Sequence, residues 1–264
     1  MSLSEVFTRA RAENRAALIV YITAGDPSME ETVKLGVALH GAGADLVELG
    51  IPYSDPLADG PIIQAAGQRA LAAGATVAGV LDAARRIREQ VPLPLLIMTC
   101  YNPVLQFGPE RFAREAAAAG VSAVLVSDLP PEEAGEWVAT AAAQGVETVF
   151  LVAPTTEPER LSLACDLCTG FVYVVSRAGT TGVRESLPPE LPALLQRLRG
   201  LTDRPLAVGF GISTPEHVAQ VAALAEGAIV GSAVVRVIGE KGAGSEMVEA
   251  VTELVKGLAA ATKH

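Results

Sequence analysis

Three carboxylates stand close together between Leu46 and Gln64, in the stretch LVELGIPYSDPLADGPIIQ. Glu48 interrupts the apolar run Leu46-Val47-Glu48-Leu49, and Asp55 and Asp59 follow in a segment rich in Gly, Pro and Asp. A carboxyl held among apolar neighbours is partly desolvated, which favours its protonated form and suits it to giving and taking a proton near neutral pH. A second carboxylate on the loop that follows is what an acid/base enzyme needs. On pattern alone each has a plainer reading. Glu48 could be a charge leaving a strand end for solvent, and Asp55 and Asp59 could be turn formers beside Pro and Gly.

The elements that must position these groups follow from hydrophobic periodicity. Short β-branched apolar runs alternate with longer helical segments along the chain. Strands are expected in ALIVYITAGDP (17–27), where the first ends in a Gly-Asp-Pro turn, and at Leu46–Leu49, Pro94–Met98, Val121–Val126, Val146–Val152, Gly170–Val175, Pro205–Val208 and Gly227–Val230. A polar helix precedes the first, two helical stretches lie around Ile62–Ala73 and Val77–Gln90, and closing helices follow the eighth. Alternation of this kind implies parallel strands with right-handed crossovers. The strands are almost wholly apolar, as expected when both faces are covered. GAGAD, AAAGVSA, AAQGV and AEGAIV each place Gly between a helix and a strand, where a left-handed C-cap is expected. Eight such units predict an α/β fold, a single (β/α)8 TIM barrel spanning 1–264, with an extra N-terminal helix and extra helices in the loops after strands 2 and 8. An open doubly wound sheet is the alternative, weakened because no Gly-x-Gly-x-x-Gly follows the first strand.

In such a barrel the chemistry sits at the C-terminal ends of the strands. The polar groups expected there include Tyr21, Thr23 and Asp26; Glu48, Asp55 and Asp59; Thr99, Tyr101 and Asn102; Ser127 and Asp128; and Tyr173, Ser176 and Arg177. None of the three histidines (His40, His217, His264) and none of the four lysines (Lys34, Lys241, Lys256, Lys263) falls there. A histidine metal site or base and a Schiff-base lysine are therefore disfavoured, and no metal is expected. Carboxylates and tyrosine remain for proton transfer. The glycines of VGFGIS and VGSAVV, with Ser232, stand after strands 7 and 8, where barrels often hold phosphate, and RAGTTG after strand 6 adds an edge at Gly182. Cys165 and Cys168 lie one helical turn apart with nothing to complete four ligands, so a buried structural pair is expected.

Composition sets the wider bounds. The chain has 264 residues, half of them hydrophobic, and a formal net charge of -10. Lys and Arg form no basic stripe, which argues against nucleic acid, and the anionic balance argues against acidic membranes. No apolar run reaches the ~20 residues of a membrane span. The charged N-terminus lacks a signal-peptide core, and three sparse cysteines fit a reducing cytoplasm.

With these residues in view, the sequence resembles the α subunit of tryptophan synthase. The resemblance is carried by YITAGDP (21–27), ELGIPYSDPLADGPIIQ (48–64), YNPV (101–104), VSDLP (126–130), YVVSRAGTTG (173–182), VGFGIS (208–213) and AIVGSAVV (228–235). It implies the same barrel and a lyase of tryptophan biosynthesis, which cleaves indole-3-glycerol phosphate to indole and D-glyceraldehyde 3-phosphate by a retro-aldol reaction. Matched by motif, Glu48 is the principal acid/base and Asp59 the second catalytic carboxylate. Tyr173 is the active-site tyrosine, and Tyr21, Leu125 and Phe210 line the indole pocket. Gly182, Gly211, Gly231 and Ser232 form the phosphate site.

The resemblance also implies a partner. The loop with Pro52, Asp55 and Asp59 faces a β subunit in an α2β2 heterotetramer, and indole passes there to condense with L-serine to L-tryptophan. No cofactor is implied in this chain, since pyridoxal phosphate belongs to the β subunit. One departure is Thr180, where the family pattern has Val. The alternatives are a stand-alone lyase without a β subunit, another phosphate-binding barrel enzyme, and a catalytically silent regulatory subunit.

Overall fold

The computed structural model describes residues 2–56, 59–176 and 187–263. Eight parallel strands close into a barrel in chain order. They are β1 (Ala17–Thr23), β2 (Leu46–Gly50), β3 (Leu95–Thr99), β4 (Ala123–Val126), β5 (Glu147–Val152), β6 (Val172–Val175), β7 (Leu206–Gly209) and β8 (Gly227–Val230). The ring is shut by β8 pairing with β1, Ala17 opposite Gly227 and Val20 opposite Val230. The expected barrel is therefore present, with strand ends one or two residues from those read in the sequence.

The helices form the outer layer. They are α1 (Leu3–Ala12), α2 (Met29–Gly41), α3 (Pro61–Ala72), α4 (Val77–Gln90), α5 (Tyr101–Phe107), α6 (Pro109–Ala118), α7 (Gly135–Ala143), α8 (Pro158–Leu167), α9 (Leu191–Arg199), α10 (Pro215–Ala222), α11 (Ser232–Lys241) and α12 (Ser245–Ala260). The extra helices expected before β1, after β2 and after β8 are α1, one of the pair α3 and α4, and one of the pair α11 and α12. A further short helix, α5, follows β3 where a loop was expected. Local chemistry sets the helix starts: Ser2 and Glu5 form a capping box, Ser28, Thr76 and Thr214 accept first-turn N–H bonds, and Pro opens α3, α6, α8 and α10.

Three of the four predicted glycine caps hold: Gly43, Gly120 and Gly145 have φ of 98°, 77° and 70°. The fourth does not. Gly227 is the first residue of β8, and a Cβ there would stand 2.9 Å from the Ala207 Cβ and 3.0 Å from the Phe7 ring. That glycine is required by packing, because a larger residue would push α1 away from the barrel floor.

Side chains alternate along each strand, so residues two apart share a face. One set points outward and forms a continuous core with the helices, including Val47, Leu49, Ile97 and Val208. The other fills the bore, with Ile19, Leu46, Leu96, Leu125, Val149, Phe171, Tyr173 and Ile229 in one cluster with Leu3, Val6, Phe7 and Ala10 of α1. Helix α1 thus closes the end of the barrel where the strands begin.

That closure is held by Asp45, just before β2 and 3% exposed. Arg15 grips both carboxylate oxygens at 2.6 and 2.8 Å, Arg9 donates at 3.1 Å, and the Leu18 N–H donates at 2.9 Å. The last turn of α1, the residues just before β1 and the start of β2 therefore meet at one anion. Removing one partner of a buried pair leaves the other charge uncompensated. Asp45→Ala is expected to lose about 3 kcal/mol of stability, read as a lower urea midpoint with unchanged slope. Glu13→Ala, which removes an exposed partner of Arg15, is expected to change stability by less than about 1 kcal/mol.

Candidate active site

Glu48 lies on β2 between Tyr21 of β1 and Leu96 of β3 in register. Leu46, two residues earlier, belongs to the bore cluster, so alternation turns the Glu48 side chain inward. It is 1% exposed. Neither carboxyl oxygen has a hydrogen-bond partner among the described residues. Burial without a compensating donor raises its pKa from 4.5 to about 8. At neutral pH the group is therefore a carboxylic acid, ready to give its proton and to recover one. The reading of Glu48 as a charge escaping to solvent is thereby corrected.

Two tyrosines flank this acid inside the bore. Tyr21 reaches up toward the rim, its hydroxyl 3.4 Å from Thr23 Oγ1. It occupies space that Gly50 leaves free: a Cβ on Gly50 would lie 2.2 Å from the Tyr21 hydroxyl. Gly209 does the same for Tyr173, where an added Cβ would lie 2.6 Å from that hydroxyl. Tyr173 is 5% exposed and stacks on Phe171, with ring centroids 6.3 Å apart. Both phenols are held above their usual pKa, burial being the main cause, with the Glu48 charge adding to it. They are neutral donors at any physiological pH.

A pocket opens above Glu48 toward the rim. Its wall includes Tyr21, Thr23, Tyr53, Asp59, Met98 and Thr99. Gly50, the next inward position after Glu48, also lines it, so Glu48 lies one layer deeper than the pocket wall. Asp59 is half-buried; burial raises its pKa, and the Tyr53 hydroxyl pulls it back down. Its main chain is fixed by α3, because Gln64 Nε2 donates to the Asp59 carbonyl at 2.9 Å and to the Pro56 carbonyl at 3.3 Å.

The remaining expected residues fall into groups. Pro52 lines the pocket, whereas Asp55 is exposed and accepts from Ser54 at 2.6 Å. Leu125 is fully buried in the bore, opposite Met98 of β3 and Val149 of β5. Phe210 lies on the rim with φ 63° and packs edge-on against Tyr173, with centroids 5.8 Å apart. Gly211 follows it with φ 86°. Gly231 and Ser232 stand after β8, where Gly231 caps α11 without any side-chain hydrogen bond. Because β7 and β8 are neighbours, their loops share one side of the rim. Gly182, with Arg177 and Thr180, lies outside the described residues.

One polar group expected at a strand end serves the scaffold. Asp26 is 1% exposed and receives both Nε and Nη2 of Arg69, at 2.8 and 2.7 Å. That pair ties the end of β1 to α3, the helix that holds Asp59. Cys165 and Cys168 are buried, and burial raises both thiols, Cys168 to about 12. Cys168 Sγ accepts the Phe150 N–H at 3.3 Å, so this is a packed structural pair. Sequence reasoning missed Tyr53 and Gln64, whose partners are set by the fold of the loop. The tyrosine and glutamine were visible, but nothing local marked their contacts.

The Glu48 pKa has a consequence for stability. Between pH 4.5 and about 8 the folded chain keeps a proton that the unfolded chain has lost. This group therefore lowers stability as pH rises through that window, and its effect levels off above it. Glu48→Gln is expected to be more stable than the parent at pH 8.5 by a margin on the order of a few kcal/mol, and to show a smaller margin at pH 5. Urea unfolding at the two pH values measures this, and an equal margin at both would contradict the buried acid.

Comparison with known proteins agrees with this architecture. The family model described as tryptophan synthase alpha chain matches residues 7–263. The tryptophan synthase alpha chain of Solibacter usitatus is 52% identical, over 89% of this chain and 88% of its own length. That of Chloroflexus aggregans is 47% identical, over 99% and 98%. Among solved structures, Mycobacterium tuberculosis tryptophan synthase superposes with a TM-score of 0.91 at 39% identity, covering 99% of this chain and 98% of the other. The alpha subunit from Legionella pneumophila does so with a TM-score of 0.90 at 37% identity, covering 99% and 98%. A full-length family match, near-complete relatives well above 30% identity and a shared closed barrel place the chain in the tryptophan synthase alpha chain family.

Proposed function

We propose that this chain cleaves indole-3-glycerol phosphate with Glu48 as proton carrier and Asp59 as the group facing the indole nitrogen. The observation that carries this reading is a buried carboxyl, without a hydrogen-bond partner among the described residues, set one layer beneath a pocket whose wall holds a second carboxyl.

The reaction asks for two proton movements and one charge to be stabilised. Glu48, neutral at pH 7, gives its proton to indole C3. The ring becomes an indolenine with positive charge at nitrogen, and Asp59 stabilises that charge through the N–H. The bond from C3 to the glycerol chain then breaks. Its electron pair returns to the ring and restores indole, while the adjacent hydroxyl becomes the aldehyde of glyceraldehyde 3-phosphate. The hydroxyl proton goes to the Glu48 carboxylate, which ends as it began. The indole nitrogen itself accepts the electrons, so the bond cleavage asks for no electron sink from a cofactor.

The neighbouring residues suit this substrate. Tyr21, Leu125 and Phe210 offer apolar and aromatic surface to the indole, and Tyr173 a neutral hydroxyl above the bore. Gly211, Gly231 and Ser232 are assigned to the phosphate. The unshielded amides beside β7 and the N-terminus of the ten-residue helix α11 favour an anion there. Gly182 completes this assignment by motif.

The chain is read as one barrel domain working in the cytoplasm. Among the described residues no helix is long and apolar enough to cross a membrane. Its partner is read as a β subunit in an α2β2 heterotetramer, meeting the Pro52 and Asp55 loop and receiving the indole. Pyridoxal phosphate is assigned to that partner. The four lysines of this chain lie on α2, α11 and α12 or near the C-terminus, none at the C-terminal end of a strand.

Indole release tests the assignment. Glu48→Gln is expected to lower it by about 10²–10⁴-fold, and Asp59→Asn by about 10²-fold, with folding intact in both. Wild-type turnover in either variant would remove that residue from the mechanism. Adding a β subunit is expected to raise the cleavage rate of this chain. A fast rate that gains nothing from the partner would favour a stand-alone lyase.

A further inference from the structure

Tyr53 lies in the segment after β2 and lines the same pocket as Asp59. Two groups can take its hydroxyl proton: the Asp59 carboxyl, on the same pocket wall, and the Cys100 thiol at the end of β3. Behind the thiol, Cys100 Sγ lies 3.7 Å from Ser127 Oγ. Ser127 in turn donates to the Thr99 carbonyl at 3.2 Å.

This chain of contacts has a direction. Ser127 has one hydroxyl proton, and the Thr99 carbonyl takes it. The contact between Cys100 and Ser127 must then use the S–H as donor, which leaves the sulfur only as a weak acceptor. The Tyr53 O–H therefore chooses between a weak sulfur acceptor and a carboxyl. When that carboxyl is ionised it is much the stronger acceptor.

We propose that Tyr53 is a positioning residue: its hydroxyl donates to one oxygen of the Asp59 carboxylate and aims the other into the pocket, and the Cys100 sulfur receives that hydroxyl whenever Asp59 is protonated. The inference rests on the reading of Asp59 as the group that meets the indole N–H. A carboxylate held at one oxygen keeps its second free for a donor from the substrate, so orientation and charge are fixed together. The other ionisable groups around this site are Tyr21 from β1 with Glu48 beneath it, Asp26 beyond them, and Asp128 beside Cys100. Asp26 is already paired with Arg69. Tyr21 and Glu48 are both neutral at pH 7.

The test is the pH dependence of kcat/KM for indole release, measured on the chain with its β subunit. The acidic limb reports formation of the Asp59 carboxylate, and the alkaline limb reports loss of the Glu48 proton. Tyr53→Phe removes a donor that favours the anion. Its acidic limb is expected to move to higher pH, with kcat/KM about tenfold lower at neutral pH and the alkaline limb unmoved. Cys100→Ala removes the rival acceptor and is expected to move the acidic limb the other way, to lower pH. This second variant retains the hydroxyl and supplies the test should the first fail to fold. An acidic limb unmoved in Tyr53→Phe, even with reduced activity, would show a merely structural tyrosine and overturn the proposal, as would both variants shifting the limb in one direction. Asp59→Asn in parallel separates the two levels: full activity there overturns the reading of Asp59 itself, whereas its loss beside an unmoved Tyr53→Phe limb overturns only the role of Tyr53.

Discussion

A ring of eight parallel strands that closes on itself has a fixed bore, and every inward side chain must be fitted against those of the other strands. In this molecule that constraint decides where chemistry is possible. The lower layers are filled with Leu, Ile, Val and Phe. Glu48 is set among them, and its acidity follows directly from that surrounding: among the described residues no donor compensates its charge, so it stays protonated at neutral pH. The two tyrosines above fit only because Gly50 and Gly209 leave room for their rings and hydroxyls. Tight packing and an altered acid are thus consequences of one geometry.

Around the rim, ordinary structural interactions keep the reactive loop in place. The Asp26–Arg69 pair fastens α3 to the end of β1, and Gln64 of the same helix holds two carbonyls of the loop that carries Asp59. A helix with no catalytic side chain of its own therefore sets where the second carboxylate stands. Displacements of about 1 Å at such a supporting element are enough to cost catalysis heavily, which makes the packing of α3 a functional matter.

Much of this was legible in the sequence because its signals are local or periodic. Strict alternation of apolar runs and helical segments led to the barrel, and Gly43, Gly120 and Gly145 marked three helix ends. Glu48 stood out as the single charge within its strand. What escaped was set by contacts between distant segments. Helix α5 begins at Tyr101, and its first N–H is met at 2.6 Å by Asp128, a residue from the end of the next strand. A cap of that kind leaves no local mark, and Pro103 in YNPV reads as a loop. Gly227 was read as a cap because its sequence context matched the others, while its real constraint is the ring of Phe7. Asp26 looked like a candidate for chemistry until Arg69, 43 residues away, was seen to occupy both its oxygens.

The N-terminal helix gives the barrel a floor. With Leu3, Val6, Phe7 and Ala10 packed into the bore and Asp45 clamping the joint, the interior becomes a blind well. Whatever reaches Glu48 must descend past Tyr21 and Asp59, and whatever forms there must climb out by the same route. Traffic is then single-file at the rim: the fragment lying nearer the mouth has to clear before the deeper one can follow, and a partner seated over that mouth would collect everything the well releases.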